Sequence, residues 1–132
     1  MEIRRVGRRV SASVMVAITA AVMVLTGASA AAANDGVCGS GDVCLYEDTS
    51  WSGGRWDDSG SVSNFTNERW WGTSRSINDA ASSAENKYSW AVATLWEHSF
   101  NRGSKVSFGP GIRIGNLGDY GMNNKASANW WG

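Results

Sequence analysis

The chain repeats one ordered pattern of residues, and this repeat constrains the fold more than any other feature of the sequence. Residues 45–53 read apolar, aromatic, glutamate, polar turn, aromatic and glycine, and residues 95–103 read in the same order. Later in each half comes a loop with two adjacent Asx residues, at 78–83 and again, more loosely, at 123–128. A unit that recurs in one small chain predicts two copies of the same supersecondary structure.

Short segments rich in aromatic and β-branched residues alternate with Gly, Asn, Ser and Asp, which is the pattern of β-strands and turns. No apolar period of 3.6 residues persists for the roughly eleven residues that indicate a helix. We therefore predict an all-β fold with repeats at about residues 43–90 and 91–132. The predicted strand segments are 43–46, 54–57, 84–88, 91–96 and 105–108.

Residues 1–33 have the features of a secretory signal peptide. Four arginines between positions 4 and 9 precede an apolar run at residues 14–25, and small residues follow it. An apolar run of about a dozen residues is shorter than the ~20 that span a membrane. We expect cleavage between residues 30 and 33, a secreted, extracellular product and one mature domain at residues 34–132.

The charge balance of the predicted mature domain excludes two classes of partner. Four of the twelve Lys and Arg and one of the twelve Asp and Glu lie in residues 1–33, which leaves eight positive and eleven negative residues, a net charge of −3. Nucleic-acid backbones and anionic membrane surfaces both require basic patches. We expect a monomer that binds neither nucleic acid nor a membrane.

Cys38 and Cys44 are the only cysteines, and they flank a short Gly- and Ser-rich segment. In an exported chain, so close a pair predicts a disulfide that stabilises a small domain. A redox or metal-binding pair is the alternative interpretation.

The loop at residues 78–83 concentrates oxygen-bearing side chains, because Asn78 and Asp79 are followed by Ser82 and Ser83. Calcium prefers six to eight oxygen ligands from carboxylates, amides, backbone carbonyls and water. The loop is therefore a candidate site for an oxygen-seeking cation. The alternative is that these residues form Asx turns, which bond their own backbone and need no ion.

The motifs resemble those of the βγ-crystallin Greek-key family. Tyr46-x4-Trp51-x-Gly53 matches the family's aromatic hairpin, and residues 78–83 match its calcium motif N/D-N/D-x-x-S/T-S. The stretch from the first cysteine to Tyr46 further resembles secreted bacterial peptidase inhibitors built on this fold. The resemblance implies two Greek-key motifs packed as a β-sandwich, over nearly all of residues 34–132.

The second copy departs from the family's pattern. Its hairpin reads Trp96-x3-Phe100-x2-Gly103, with the spacing shifted by one residue, and Ala128 replaces the last serine of the motif. A characterised metalloproteinase inhibitor of this family has a second disulfide around its reactive loop, for which this chain has no cysteines.

The resemblance also implies that each Asx–Ser loop is completed by the hairpin of the other repeat, which gives one or two Ca²⁺ ions. The site at residues 78–83 has two carboxylate ligands and the site at residues 123–128 has one, so the charge count predicts that the first site binds calcium more tightly. The implied ligand sets are Asn78, Asp79 and Ser82 with Glu97, and Asn123, Asn124 and Ser127 with Glu47.

Two pairs of adjacent tryptophans, Trp70–Trp71 and Trp130–Trp131, are the other unusual feature. Neighbouring strand residues point to opposite faces, so we expect one ring of each pair to be exposed. Exposed indoles serve as sugar-stacking platforms or protein anchors, and all four tryptophans are candidate partner-binding residues. The alternative is that these rings cover the edges of a thin core.

No catalytic constellation is recognisable, since His98 is the only histidine and has no nucleophile with an orienting partner around it. We therefore predict a non-enzymatic, secreted peptidase inhibitor that offers an exposed loop, from residues 59–76 or 109–120, to an extracellular peptidase. One alternative is a module that binds cell-wall glycan, or a killer-toxin-like protein, that uses exposed tryptophans. Another is a structural, calcium-stabilised extracellular protein.

Overall fold

A computed structural model describes residues 34–131, and this part of the chain is all-β, as predicted. The predicted signal peptide lies outside the described residues. Two short 3₁₀ turns, Phe65–Asn67 and Leu117–Tyr120, are the only helical segments among residues 34–131, and no helix there is long and apolar enough to cross a membrane. The strands are β1 (Val43–Asp48), β2 (Ser52–Asp58), β3 (Ser83–Asn86), β4 (Ala93–His98), β5 (Arg102–Phe108), β6 (Arg113–Ile114) and β7 (Ala128–Trp131).

The strands form two antiparallel sheets that interlock the two repeats. One sheet has the order β2-β1-β3-β6, and the other has the order β5-β4-β7. Strand β6 comes from the second repeat but pairs with β3 of the first, through Ala84 opposite Ile114. In return, Val62 of the first repeat forms an isolated bridge with Asn129 of β7. The first sheet therefore contains strands from both repeats, whereas the second sheet consists of second-repeat strands and is linked to the first repeat by this bridge.

The hairpins β1–β2 and β4–β5 have the same irregular geometry. Each pairing shifts register at a glutamate, between Tyr46 and Asp48 in the first hairpin and between Trp96 and His98 in the second. The turns then pass through positive φ at positions 50 and 51 and again at 100 and 101. Corresponding positions of the two hairpins are 50 residues apart, so Asn101 corresponds to Trp51. Phe100, the second aromatic residue of the second hairpin, corresponds to Ser50 and is exposed.

The core lies between the inner faces of the two sheets, where alternate strand residues meet the 3₁₀ turns. Trp56 and Phe65 lie at its centre, with their ring centroids 5.2 Å apart, and the indole N–H of Trp56 donates to Glu68 at 2.9 Å. The larger buried apolar residues are Val43, Leu45, Trp56, Phe65, Trp70, Ile77, Leu95, Val106, Phe108, Ile114, Leu117 and Met122.

The predicted disulfide between Cys38 and Cys44 is present, with Cα atoms 5.9 Å apart, a normal distance for a bridged pair. It holds the start of the domain beside β1. Just upstream, Asn34 donates its N–H to the carbonyl of Asp57 at 2.7 Å, and Gly36 donates to the carboxylate of Asp57 at 3.1 Å. We call residues 34–36 the N-terminal arm, and this arm covers one outer edge of the first sheet.

Candidate functional site

The two Asx–Ser loops lie against each other, one from each repeat. The N–H of Asp79 donates to the carbonyl of Ala126 at 3.0 Å, and the N–H of Asn124 donates to the carbonyl of Ala81 at 2.9 Å. Asp79 and Asn124 both have positive φ, of 56° and 55°. The short polar side chains of Asx residues tolerate this conformation. The loops are therefore equivalent parts of one paired structure.

Side-chain hydrogen bonds cross between the loops. The hydroxyl of Ser127 donates to Asp79 Oδ1 at 2.8 Å, and the hydroxyl of Ser82 donates to Asn124 Oδ1 at 3.4 Å. The predicted ligand sets group Ser82 with Asp79 and Ser127 with Asn124. In the structure, each Asx side chain instead accepts a hydrogen bond from the serine of the other loop. This happens because the two loops run antiparallel to each other.

Each serine also fixes its loop to a hairpin. Ser82 donates its N–H to the carbonyl of Tyr46 at 2.9 Å, and Ser127 donates to the carbonyl of Trp96 at 2.8 Å. Asp79 thus lies near the second hairpin through Ser127. The structure therefore brings oxygen-bearing groups of the two loops together from both repeats.

The two glutamates of the implied ligand sets have hydrogen-bond partners elsewhere. Glu47 Oε1 accepts the N–H of Gly54 at 3.3 Å, and its other oxygen pairs with Arg75. Glu97 Oε1 accepts the N–H of Ser104 at 3.2 Å, and this bond holds the pKa of Glu97 below its usual value. Both carboxylates therefore brace their own hairpins, and within residues 34–131 neither makes a hydrogen bond to an Asx–Ser side chain.

The donor set of the loops fits an oxygen-seeking cation. Asn78 Oδ1 is buried and accepts no hydrogen bond within residues 34–131, whereas a buried acceptor normally has a partner. True Asx caps occur elsewhere in this part of the chain: Asn64 Oδ1 accepts from the N–H of Thr66 at 3.0 Å, and Asn116 Oδ1 accepts from the N–H of Gly118 at 2.8 Å. An Asx turn therefore does not account for Asn78.

The available oxygens are mostly neutral. Within residues 34–131, no three His, Cys, Asp or Glu side chains cluster as metal ligands. Asp79 is the one carboxylate of the paired loops, beside the amides of Asn78, Asn123 and Asn124 and two serine hydroxyls. Calcium accepts such neutral oxygens, and few charged ligands correspond to weak affinity.

The adjacent tryptophans divide between core and surface. Trp70 is only 1% exposed, so its predicted role in partner binding is wrong. Its ring fills the core under β2, where a side chain on Gly54 would lie 3.1 Å from it. Trp71 is 48% exposed and Trp130 is 50% exposed. Trp131 is half-buried, and its indole N–H donates to the carbonyl of Ser59 at 3.1 Å.

Trp71 also has a structural contact. Its ring covers Gly36 so closely that an added side chain there would force the ring to move, and the guanidinium of Arg55 lies 5.4 Å from the ring centroid. One face of this indole therefore holds the N-terminal arm in place.

The most exposed large apolar side chain of the described residues is not among the tryptophans predicted to bind a partner. Trp90 is 76% exposed and lies in the connection between β3 and β4, beside Tyr88. Composition was the available signal. The short link between the two repeats contains two large aromatic rings, in the sequence Tyr-Ser-Trp at positions 88–90, that the repeat pattern does not require.

The longest run of consecutive exposed residues within 34–131 is residues 71–76. This segment is the tip of a small hairpin whose base is the bridge between Arg69 and Ser76. Trp70 donates its N–H to the carbonyl of Arg75 at 3.0 Å, and Trp71 donates to the carbonyl of Arg55 at 2.7 Å. We call residues 71–76 the exposed hairpin.

Several solved structures share this fold. A βγ-crystallin domain from a study of the evolution of the eye-lens fold superposes with a TM-score of 0.61 at 20% identity, over 80% of this chain and 93% of that one. A βγ-crystallin from Ciona intestinalis gives 0.58 at 22% identity, over 70% and 100%. A βγ-crystallin domain from Clostridium beijerinckii gives 0.53 at 18% identity, over 68% and 95%. The protein thus has a βγ-crystallin-like fold.

No curated protein sequence matches the chain. The model of peptidase inhibitor family I36 matches residues 31–105, which is more than half of the chain. The protein therefore belongs to peptidase inhibitor family I36, and its class is non-enzymatic, as the sequence predicted.

Proposed function

We propose that this protein inhibits an extracellular peptidase by placing an exposed loop of a rigid β-sandwich in the enzyme's substrate cleft. Membership of peptidase inhibitor family I36 is the observation that carries this proposal. The disulfide supports an extracellular location, because such bonds persist in oxidising compartments.

The exposed hairpin, residues 71–76, is the segment that we propose contacts the peptidase. Its base is fixed by the burial of Trp70 and by the pairing of Arg75 with Glu47. A loop that is already ordered loses less conformational entropy on binding than a mobile one. Its exposed positions leave the backbone accessible to an enzyme.

The test is a panel of secreted metallo- and serine peptidases, assayed with the purified mature domain. We expect inhibition of at least one enzyme. The variants Trp71→Ala and Arg75→Ala should weaken it, while Phe100→Ala and Ile112→Ala, in two other exposed loops, should not.

Two results would contradict different parts of this proposal. Lack of inhibition at micromolar protein across the panel would reject the inhibitory function. Inhibition that is lost only in Phe100→Ala or only in Ile112→Ala would reject the exposed hairpin as the contact and leave the inhibitory function in place.

We further propose that the paired Asx–Ser loops bind calcium, which stabilises the scaffold. The buried, unpartnered oxygen of Asn78 and the crossed bond between Ser127 and Asp79 support this. The chain would hold the ion with Asn78, Asp79, Asn124 and the two serine hydroxyls, which join both repeats.

A ligand that binds only the folded state stabilises it, by about 2.7 kcal/mol at a hundredfold excess over Kd. Thermal unfolding should therefore occur at a higher temperature with excess calcium than with a chelator. Equal melting temperatures under the two conditions would reject calcium binding. Peptidase inhibition measured in parallel tests the inhibitory function separately.

A further inference from the structure

A groove of about 270 Å³ lies at the junction of the two repeats, and it shares no lining residue with the Asx–Ser loops or the exposed hairpin. Four residues line it: Tyr88, Trp90, Ala91 and Trp131. We call it the aromatic groove. Three of these residues belong to the connection between β3 and β4, and Trp131 ends the last strand.

The rings of the aromatic groove hold one another at steep angles. Tyr88 meets Trp90 with centroids 5.1 Å apart and planes at 88°, and it meets Trp131 at 4.2 Å and 67°. Edge-to-face contacts of this kind are favourable. Tyr88 therefore lies between the two indoles of the groove and contacts both of them.

The backbone under the groove is fixed by buried Asn86. Its side-chain amide donates to the carbonyls of Ala91 and Phe108, at 2.9 and 3.1 Å, and its oxygen accepts the N–H of Tyr88 at 2.9 Å. Trp131 is fixed separately by Ser59 and Ser61. The groove is thus preformed, so a ligand would not have to order it.

The chemistry of the lining indicates the class of ligand. No charged side chain lines the groove, so it offers no ion pair to an anionic or a cationic ligand. The Tyr88 hydroxyl and the Trp90 indole N–H make no hydrogen bond within residues 34–131, and the Trp90 side chain is 76% exposed. Aromatic faces beside free hydrogen-bonding tips suit a ring with apolar C–H faces and a hydroxyl rim.

We propose that the aromatic groove binds a neutral saccharide, with one pyranose ring stacked on Trp90 and its hydroxyls bonded to Tyr88. The volume is slightly below the ~300 Å³ at which sites for drug-sized ligands begin, which suits one or two sugar rings. An aliphatic peptide side chain would leave both polar tips unpaired. The groove shares no lining residue with the exposed hairpin.

The test is titration of the mature domain with neutral tetrasaccharides of β-1,4-N-acetylglucosamine, β-1,4-glucose and β-1,3-glucose, followed by calorimetry and by tryptophan fluorescence. We expect saturable binding of at least one. Trp90→Ala should weaken it by about tenfold or more, because a stacking ring is lost. Tyr88→Phe keeps the ring and should weaken it severalfold through the lost hydroxyl.

The matched control is Trp130→Ala, which removes an exposed tryptophan from the opposite face of the same strand and should leave sugar binding unchanged. Folding of each variant is checked by its thermal transition. Choline chloride is titrated as a cationic ligand, since aromatic rings also bind quaternary ammonium groups.

The proposal is overturned if none of the three saccharides binds saturably, if Trp130→Ala weakens binding as much as Trp90→Ala, or if choline binds and the sugars do not. Peptidase inhibition should be unchanged in Trp90→Ala. If that variant loses inhibition, the groove belongs to the peptidase interface, and its assignment to a saccharide is wrong.

Discussion

Ser83 and Ala128 occupy the same position in the two repeats, opposite Tyr46 in β1 and opposite Trp96 in β4. The Ser83 hydroxyl donates to the carbonyl of Asp48 at 2.6 Å and accepts the N–H of Trp51 at 3.0 Å. It therefore closes the first hairpin. Fully buried Ala128 provides no such group for the second.

We expect Ser83→Ala to lower the free energy of unfolding by about 1–3 kcal/mol, because it leaves two partly buried backbone groups without a partner. The reciprocal change, Ala128→Ser, should raise it by about 0.5–1 kcal/mol by restoring the missing clamp between the carbonyl of His98 and the N–H of Asn101. Urea unfolding measures both. If Ala128→Ser is destabilising, the two hairpins are not equivalent at this position.

Asp57 is a buried carboxylate that ties down the N-terminal arm. Its oxygens accept the N–H groups of Asp35 and Gly36, at 3.3 and 3.1 Å. Burial nevertheless raises the pKa of Asp57 to about 6, with the neighbouring carboxylates of Asp35 and Asp42 acting in the same direction.

An unfolded aspartate titrates near pKa ~3.9, so between about pH 4 and pH 6 the folded protein binds more protons than the unfolded chain. The contribution of Asp57 to stability is therefore complete below about pH 4 and is lost as the pH rises through about 6. The loss is on the order of 2 kcal/mol.

The measurement is urea unfolding of the wild type and of Asp57→Asn between pH 4 and pH 7. The difference in free energy of unfolding between the two proteins should change across this window in the stated direction. Asp119→Asn, at an exposed acid, is the control and should follow the wild type. A constant difference between Asp57→Asn and the wild type would show that Asp57 titrates normally.

At the scale of elements, the paired Asx–Ser loops are nearly symmetric in backbone and unequal in charge. Asp79 and Asn124 have the same conformation and the same type of serine partner, but only Asp79 is a carboxylate. Their difference in charge is therefore the feature that would make the two loops contribute unequally to calcium binding.

We expect Asn124→Asp to increase, and Asp79→Asn to decrease, the rise in melting temperature caused by calcium, because carboxylates are stronger calcium ligands than amides. Both substitutions preserve the size and the acceptor oxygen of the side chain. Thermal unfolding with calcium and with chelator measures the effect. Equal calcium shifts in both variants and the wild type would place any bound ion outside these loops.

At the scale of the whole molecule, the two repeats cannot separate without breaking one strand pairing of the first sheet and the bridge that links the first repeat to the second sheet. Strand β6 pairs with β3 across the repeats, and Val62 pairs with Asn129. Asn129 is fully buried, donates to the carbonyl of Gly60 at 3.0 Å and accepts the N–H of Val62 at 3.0 Å. The fold is therefore one cooperative unit made of two similar halves.

We expect a single thermal transition, with coincident loss of far-ultraviolet and tryptophan signals, as for other small domains. A fragment of residues 34–90 should show no cooperative unfolding, because its sheet lacks β6 and its Val62 lacks Asn129. The intact mature domain is the control. A folded fragment, or two resolved transitions, would contradict this interlocking.

The sequence alone determined the repeat, the β-class, the disulfide and the family, because each depends on residue types at short spacings. Hairpin geometry is a local property, so Tyr46, Trp51 and Gly53 predicted the first hairpin correctly. Only the tertiary structure decided which tryptophans are exposed, because Trp70 and its neighbour differ in what packs against them and not in chemistry.

The same limit applies to the candidate calcium site. The motif at residues 78–83 identified the oxygen donors, but the exchange of Ser82 and Ser127 depends on how two distant loops pair. The hydrogen bonds of Glu47 and Glu97 to their own hairpins likewise required coordinates. Sequence patterns within one element specify its conformation, whereas contacts between elements are fixed by the packing of the whole domain.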